Sequence, residues 1–186
     1  MSGRIASVAL AIILALIPPL LALAEESGTG TITITATTKT VLEIELNPPS
    51  WEIGQVGPNT EYKTNPEKTW CTMTNRGNCI ANTYIKGDDA VWTESPSVYK
   101  WTLSDDGSNG TQVYVLWYEK ADQAVYVLIS KDESGIGSEF YPGLGMGDGN
   151  KKQFGLKLKA PVADYENYFY GGGEMETHII ISGVAV

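Results

Sequence analysis

Hydrophobic residues in this chain recur at every second position rather than every third or fourth. That is the period of a strand with one buried face. The tract Gly28–Thr38 sets Ile32, Ile34 and Ala36 on one side and only threonines on the other. Thr40–Leu46 repeats the pattern, with Leu42, Ile44 and Leu46 opposed by Glu43 and Glu45, until Asn47-Pro48-Pro49 stops it. Gln153–Ala160 alternates again, with Phe154, Leu156, Leu158 and Ala160 inward and Lys157 and Lys159 outward. Thr111–Glu119 and Gln123–Ser130 are apolar on both sides, which predicts central strands and places Trp117 in the core. Val98–Leu103 and Thr111–Glu119 flank the polar loop Ser104–Gly110 as a hairpin. Lys68–Thr74 and Cys79–Lys86 flank the turn residues Asn75-Arg76-Gly77-Asn78 as another, and Met175–Val186 reads as a last strand. No segment shows helical periodicity. About ten short strands with regular turn signals predict an all-β chain, a single β-sandwich of jelly-roll or immunoglobulin-like type. Lys131–Lys151, rich in glycine, and Pro161–Gly173, rich in tyrosine, read as irregular loops.

The first 24 residues break this pattern. Arg4 precedes the apolar run Val8–Leu21, and Ala22-Leu23-Ala24 offers a cleavage site before Glu25-Glu26. The run is shorter than the roughly 20 residues a spanning helix needs, and Pro18-Pro19 interrupts it. The segment therefore reads as an export signal, with no membrane anchor retained and the product secreted to the cell surface or beyond. Residues 1–24 are then the signal, 25–38 an N-terminal strand and 39–186 one sandwich domain. The full chain carries a net charge of −9. Clustered Lys and Arg are missing, so nucleic acid is not an expected partner.

Cys71 and Cys79 are the only cysteines. In an exported chain their spacing around a turn predicts a disulfide that staples the hairpin. Asn109-Gly110-Thr111 is a glycosylation sequon, Asn109 being the acceptor on an exposed loop. Catalytic signals are weak. The single histidine, His178, lies in the last strand, no Gly-x-Ser-x-Gly or HExxH occurs, and no catalytic residue, metal site or cofactor is expected. Glu174, Glu176 and His178 share one strand face and read as exposed polar residues. Asp105–Gly110 resembles a calcium loop, but Leu116 stands where a bidentate glutamate belongs. Gly143–Gly149 reads as a flexible loop. Trp51, Trp70, Trp92 and Trp101 are expected as packing, while Tyr165, Tyr168, Phe169 and Tyr170 form the one aromatic cluster placed to meet a glycan.

The layout of Thr29–Asp88 carries a resemblance. Thr29-Gly-Thr-Ile-Thr-Ile34 follows the signal, then come Trp51-Glu-Ile-Gly-Gln-Val-Gly-Pro-Asn-Thr60, Thr74-Asn-Arg-Gly-Asn78 and Ile85-Lys-Gly-Asp88. This resembles the TasA/camelysin-like family of biofilm-matrix proteins, including the related archaeal bundling pilins. Cysteines inside the hairpin and a shorter chain depart from the bacterial members. The resemblance implies a jelly-roll subunit that polymerises head-to-tail by donor-strand complementation. The donor would then be approximately Glu25–Ala36, with Thr29, Thr31, Ile32, Thr33, Ile34 and Ala36 binding the next subunit. Its partner would be itself, with neighbouring filaments or surface glycans beside it. The alternative is a monomeric cell-surface or glycan-binding sandwich that keeps residues 29–36 in its own sheet.

Overall fold

Alternation becomes strand wherever the neighbouring chain can complete the hydrogen-bond ladder. The computed structural model describes residues 36, 39–64, 70–94, 100–132, 139–163 and 174–186. Twelve strands run through these residues: β1 Ile44–Asn47, β2 Glu61–Lys63, β3 Cys71–Asn75, β4 Ala81–Gly87, β5 Ala90–Trp92 and β6 Lys100–Leu103, then β7 Val113–Lys120, β8 Tyr126–Ile129, β9 Glu139–Leu144, β10 Lys152–Lys159, β11 Met175–Glu176 and β12 Ile179–Ala185. The only helical element among the described residues is the 3-10 turn Asp148–Asn150. All twelve strands belong to one compact unit, Lys39–Val186.

The chain folds as an all-β sandwich. Its larger sheet runs β1-β3-β10-β7-β6-β5-β11, with β2 also paired to β10 and β8 to β7. The smaller sheet runs β12-β4-β9. Every pairing is antiparallel except β6 with β7. The two inner faces meet on an aromatic centre. Phe140 of β9 stands edge-on to Tyr118 of β7 and Phe154 of β10, each ring centroid 4.9 Å away. Gly87 at the end of β4 lies so close to the larger sheet that a Cβ there would come within 2.7 Å of Leu103. β10 buries Phe154, Leu156 and Leu158, and Ala160 just beyond it is buried too, as the alternation predicts.

Several strands sit elsewhere than the sequence suggests. β3 and β4 do not form a hairpin: β3 joins the larger sheet between β1 and β10, and β4 crosses to the centre of the smaller one. The expected disulfide is lost with the hairpin, and both cysteines are free. Cys71 opens β3 and lies about 13 Å up the strand from Asn75 at 3.3 Å per residue. Cys79 is held at the Asn75 end, where the Asn75 amide donates to its carbonyl at 2.8 Å. Cα atoms more than about 7 Å apart cannot be bridged. β6 and β7 pair in parallel at Thr102–Val113 and Leu103–Tyr114, so Ser104–Gln112 is a crossing loop and not a hairpin. Its bend is pinned by the Asp106 carboxylate, which accepts from the Ser108 N–H at 2.8 Å and the Ser104 hydroxyl at 2.9 Å.

β8 pairs only with β7 among the described strands, an edge rather than a central position. Trp117, expected in the core, instead lies half-buried opposite the Tyr114–Leu116–Tyr118 face, with the Lys157 ammonium 4.0 Å over its ring. The glycine-rich stretch expected to be irregular contains β9, whose Phe140, Tyr141 and Leu144 are buried. Its supposed flexible loop is tied down too: Leu144 ends β9, and the Gly147 N–H donates to the Asn75 carbonyl at 2.8 Å. Met175–Val186 is two strands in two sheets, β11 against β5 and β12 against β4.

Candidate functional site

β12 is the element whose position and chemistry most need a partner. It pairs with β4 over its whole length, from Ile179–Gly87 to Ala185–Ala81. On its other side no described strand pairs with it. Ile179 and Ile181 pack against the core, while Ile180 and Val184 are exposed on the opposite face. No charged residue occurs between Ile179 and Val186. Natural edge strands are normally protected by charge, proline or brevity, and this one has none of these over seven residues.

Both ends of β12 are fastened, so the edge is presented in one register. At its start, Thr177 Oγ1 donates to the Asp88 carbonyl at 2.9 Å, and the Asp88 N–H donates to the His178 carbonyl at 3.1 Å. The buried Tyr114 hydroxyl donates to that same Asp88 carbonyl and lies 2.7 Å from Thr177 Oγ1. Burial pushes the Tyr114 phenol far above its ordinary range, so it remains a donor at any ordinary pH. At the far end the Val186 N–H donates to the Ile80 carbonyl at 2.9 Å.

The edge strand of the larger sheet lies nearby. Leu42, just before β1, packs on Gly183 so closely that a Cβ there would come within 2.9 Å of its methyl. The Asn75–Asn78 turn holds this lead-in. The Asn78 amide donates to the Lys39 carbonyl at 2.8 Å and its oxygen accepts from the Val41 N–H at 2.7 Å. The N–H groups of Arg76 and Asn78 continue the ladder to the Glu43 and Val41 carbonyls. Gly77 must be glycine for this latch to close, because a Cβ would lie 2.3 Å from the Val41 oxygen. Asn75 locks the turn from beneath: fully buried, it donates to the Cys79 and Leu144 carbonyls and accepts from the Gly77 N–H.

The residues singled out from sequence fall in different places. Thr29, Thr31, Ile32, Thr33 and Ile34 lie outside the described residues, as do Tyr165, Tyr168, Phe169 and Tyr170. Ala36 is described, exposed and outside any strand. Asn109 is not a freely projecting acceptor: its amide donates to the Ala160 carbonyl at 2.5 Å, and the Val162 N–H closes on the Gly110 carbonyl at 3.0 Å. Glu176 and His178 are exposed and 3.6 Å apart. No group of three metal-ligating side chains converges among the described residues. Asp89 is the best-held carboxylate at the β11 end of the sandwich. Burial works to raise it, but the Leu103 N–H at 2.9 Å, Lys131 at 3.1 Å and Lys100 outweigh burial and leave it below the usual carboxylate range.

By sequence alone Met175–Val186 reads only as a last strand. Its signal was legible in Ile179-Ile180-Ile181, which is apolar on both faces and followed by no charge to Val186. Comparison with protein-family models, with curated proteins and with solved structures finds no match to this chain.

Proposed function

We propose that this chain is a secreted structural subunit of an extracellular filament, a pilus or biofilm-matrix fibre of the TasA/camelysin-like kind. It polymerises when residues 25–36 of one copy add as a strand to the next. The observation that carries this reading is the charge-free β12 edge, seven residues long and fixed at both ends. Residues 29–36 have the complementary composition: eight residues of strand-forming alternation with Ile32 and Ile34 on one side. Strand addition uses the ladder for affinity and side-chain pockets for register. Burying two isoleucines contributes about 3–6 kcal/mol. Insertion from one copy into the next is heterologous and does not close, which produces a fibre and not a dimer.

Negative-stain microscopy of the chain from Glu25 onward, beside one starting at Lys39, tests this. Fibres from the first and folded monomers from the second are expected. Monomers from both, with the shorter chain less stable, would mean that residues 25–38 complete their own sheet. The chain would then be a monomeric surface module.

A further inference from the structure

Four apolar side chains gather at the end of the sandwich where Lys39 begins the folded unit. Val41 is 42% exposed, Ile80 45%, Val184 57% and Val186 77%. The Val186 N–H on the Ile80 carbonyl joins two of them, and Ala185–Ala81 pairing sets Val184 alongside. Cys79, next to Ile80, brings its thiol to 3.5 Å from the Val41 carbonyl. Beside them the exposed Arg76 pairs with Glu45 and Asp148, whereas Asp88, Asp89, Asp105 and Glu176 lie at the opposite end. A clustered apolar end continuous with a sheet edge that no described strand pairs with marks an interaction surface.

We infer that a second copy covers this end: the subunit that receives the N-terminal strand also seats its body on Val41, Ile80, Val184 and Val186. The inference rests on the strand-donation reading above. Its argument is the length of chain available. If the donated strand extends to Ala36, three Cα steps reach Lys39, at most about 11 Å. Lys39 and Val41 cannot pay out more chain, because Asn78 holds both by its side chain. The receiving subunit is therefore drawn against the end from which the strand leaves, where four apolar side chains stand exposed. The joint is then a docked one, stiffened by packing, and not a bead on a string.

The test uses the chain from Glu25 onward, unsubstituted, as Val41→Asp plus Ile80→Asp, and with Gly-Ser-Gly-Ser inserted between Thr38 and Lys39. Neither substituted residue lies on β12. Straight fibres are expected from the unsubstituted chain. The double substitution should raise the critical concentration for fibre formation about thirtyfold or more, as lost apolar burial predicts. The insertion should still give fibres, but flexible ones. Melting of the double variant starting at Lys39 shows whether it folds, and the insertion, lying outside the folded unit, carries the test alone if it does not. Fibres of unchanged straightness with the insertion, or an unchanged critical concentration in a folded double variant, overturn the inference. Absence of fibres from the unsubstituted chain overturns it as well, through the parent reading, and is seen before any variant is made.

Discussion

Single residues decide where the chain turns. Asn75 makes three side-chain hydrogen bonds from a fully buried position. Asn75→Ala would leave buried carbonyls and an N–H unpaired, and a loss of about 2–4 kcal/mol is expected in chemical denaturation. A change within 0.5 kcal/mol or so, the range of an ordinary surface substitution, would mean that the latch around Asn75 is incidental. Asp89 makes the molecule sensitive to acid. Its carboxyl titrates lower folded than unfolded, so its stabilisation is fully present above the unfolded value of about 3.9 and is lost as pH falls through the folded one. Asp89→Asn should lower stability near neutrality and flatten its fall below about pH 4. A denaturation midpoint that follows pH identically in both proteins would contradict this.

Elements show which part of the fold the sequence could reveal. Alternation specifies the face a residue turns inward, so β10 and the lead-in to β1 were legible residue by residue. It says nothing of the partner strand. That is why β3 and β4, adjacent in sequence around a strong turn, were expected to pair when they part to different sheets. At the turn between them Asn75 reaches Leu144, 69 residues away, a contact without local signal. β9 was hidden because Pro142 and Gly143 interrupt Phe140, Tyr141 and Leu144, and turn residues inside a short strand read as loop. The candidate edge was half legible: its composition could be read, but its place at the end of a three-stranded sheet could not. The parting of β3 and β4 has a chemical consequence. Cys79 is half-buried in the turn, while Cys71 is buried and its thiol is pushed up by burial. A thiol reagent should therefore label one cysteine quickly in the folded protein and the second only on unfolding, and a reducing agent should leave the melting temperature unchanged. Failure to find any free thiol would restore the disulfide.

At the scale of the whole molecule, assembly should depend on apolar contact and work against charge. The chain has a net charge of −9, and the β12 edge contributes none of it. The proposed donor tract offers Ile32 and Ile34, again uncharged. Ile32→Asp plus Ile34→Asp should accordingly leave the Lys39–Val186 unit folded but abolish fibres, and fibres like those of the unsubstituted chain would sink the proposed function. Ionic strength separates the forces further. Copies that repel through net charge approach more easily when the screening length falls from about 30 Å at 0.01 M salt to a few ångströms near 1 M. An assembly held by ion pairs between subunits would weaken over the same range, whereas burial of Ile32 and Ile34 is unaffected by screening and strengthened by excluded salts such as sulfate. Fibre yield measured by sedimentation at fixed protein concentration should thus rise with sodium chloride and rise more steeply with sodium sulfate. A fall with either salt would assign the contact to charged side chains, and Lys39 together with the Asp105–Asp106 end would become the residues to reverse.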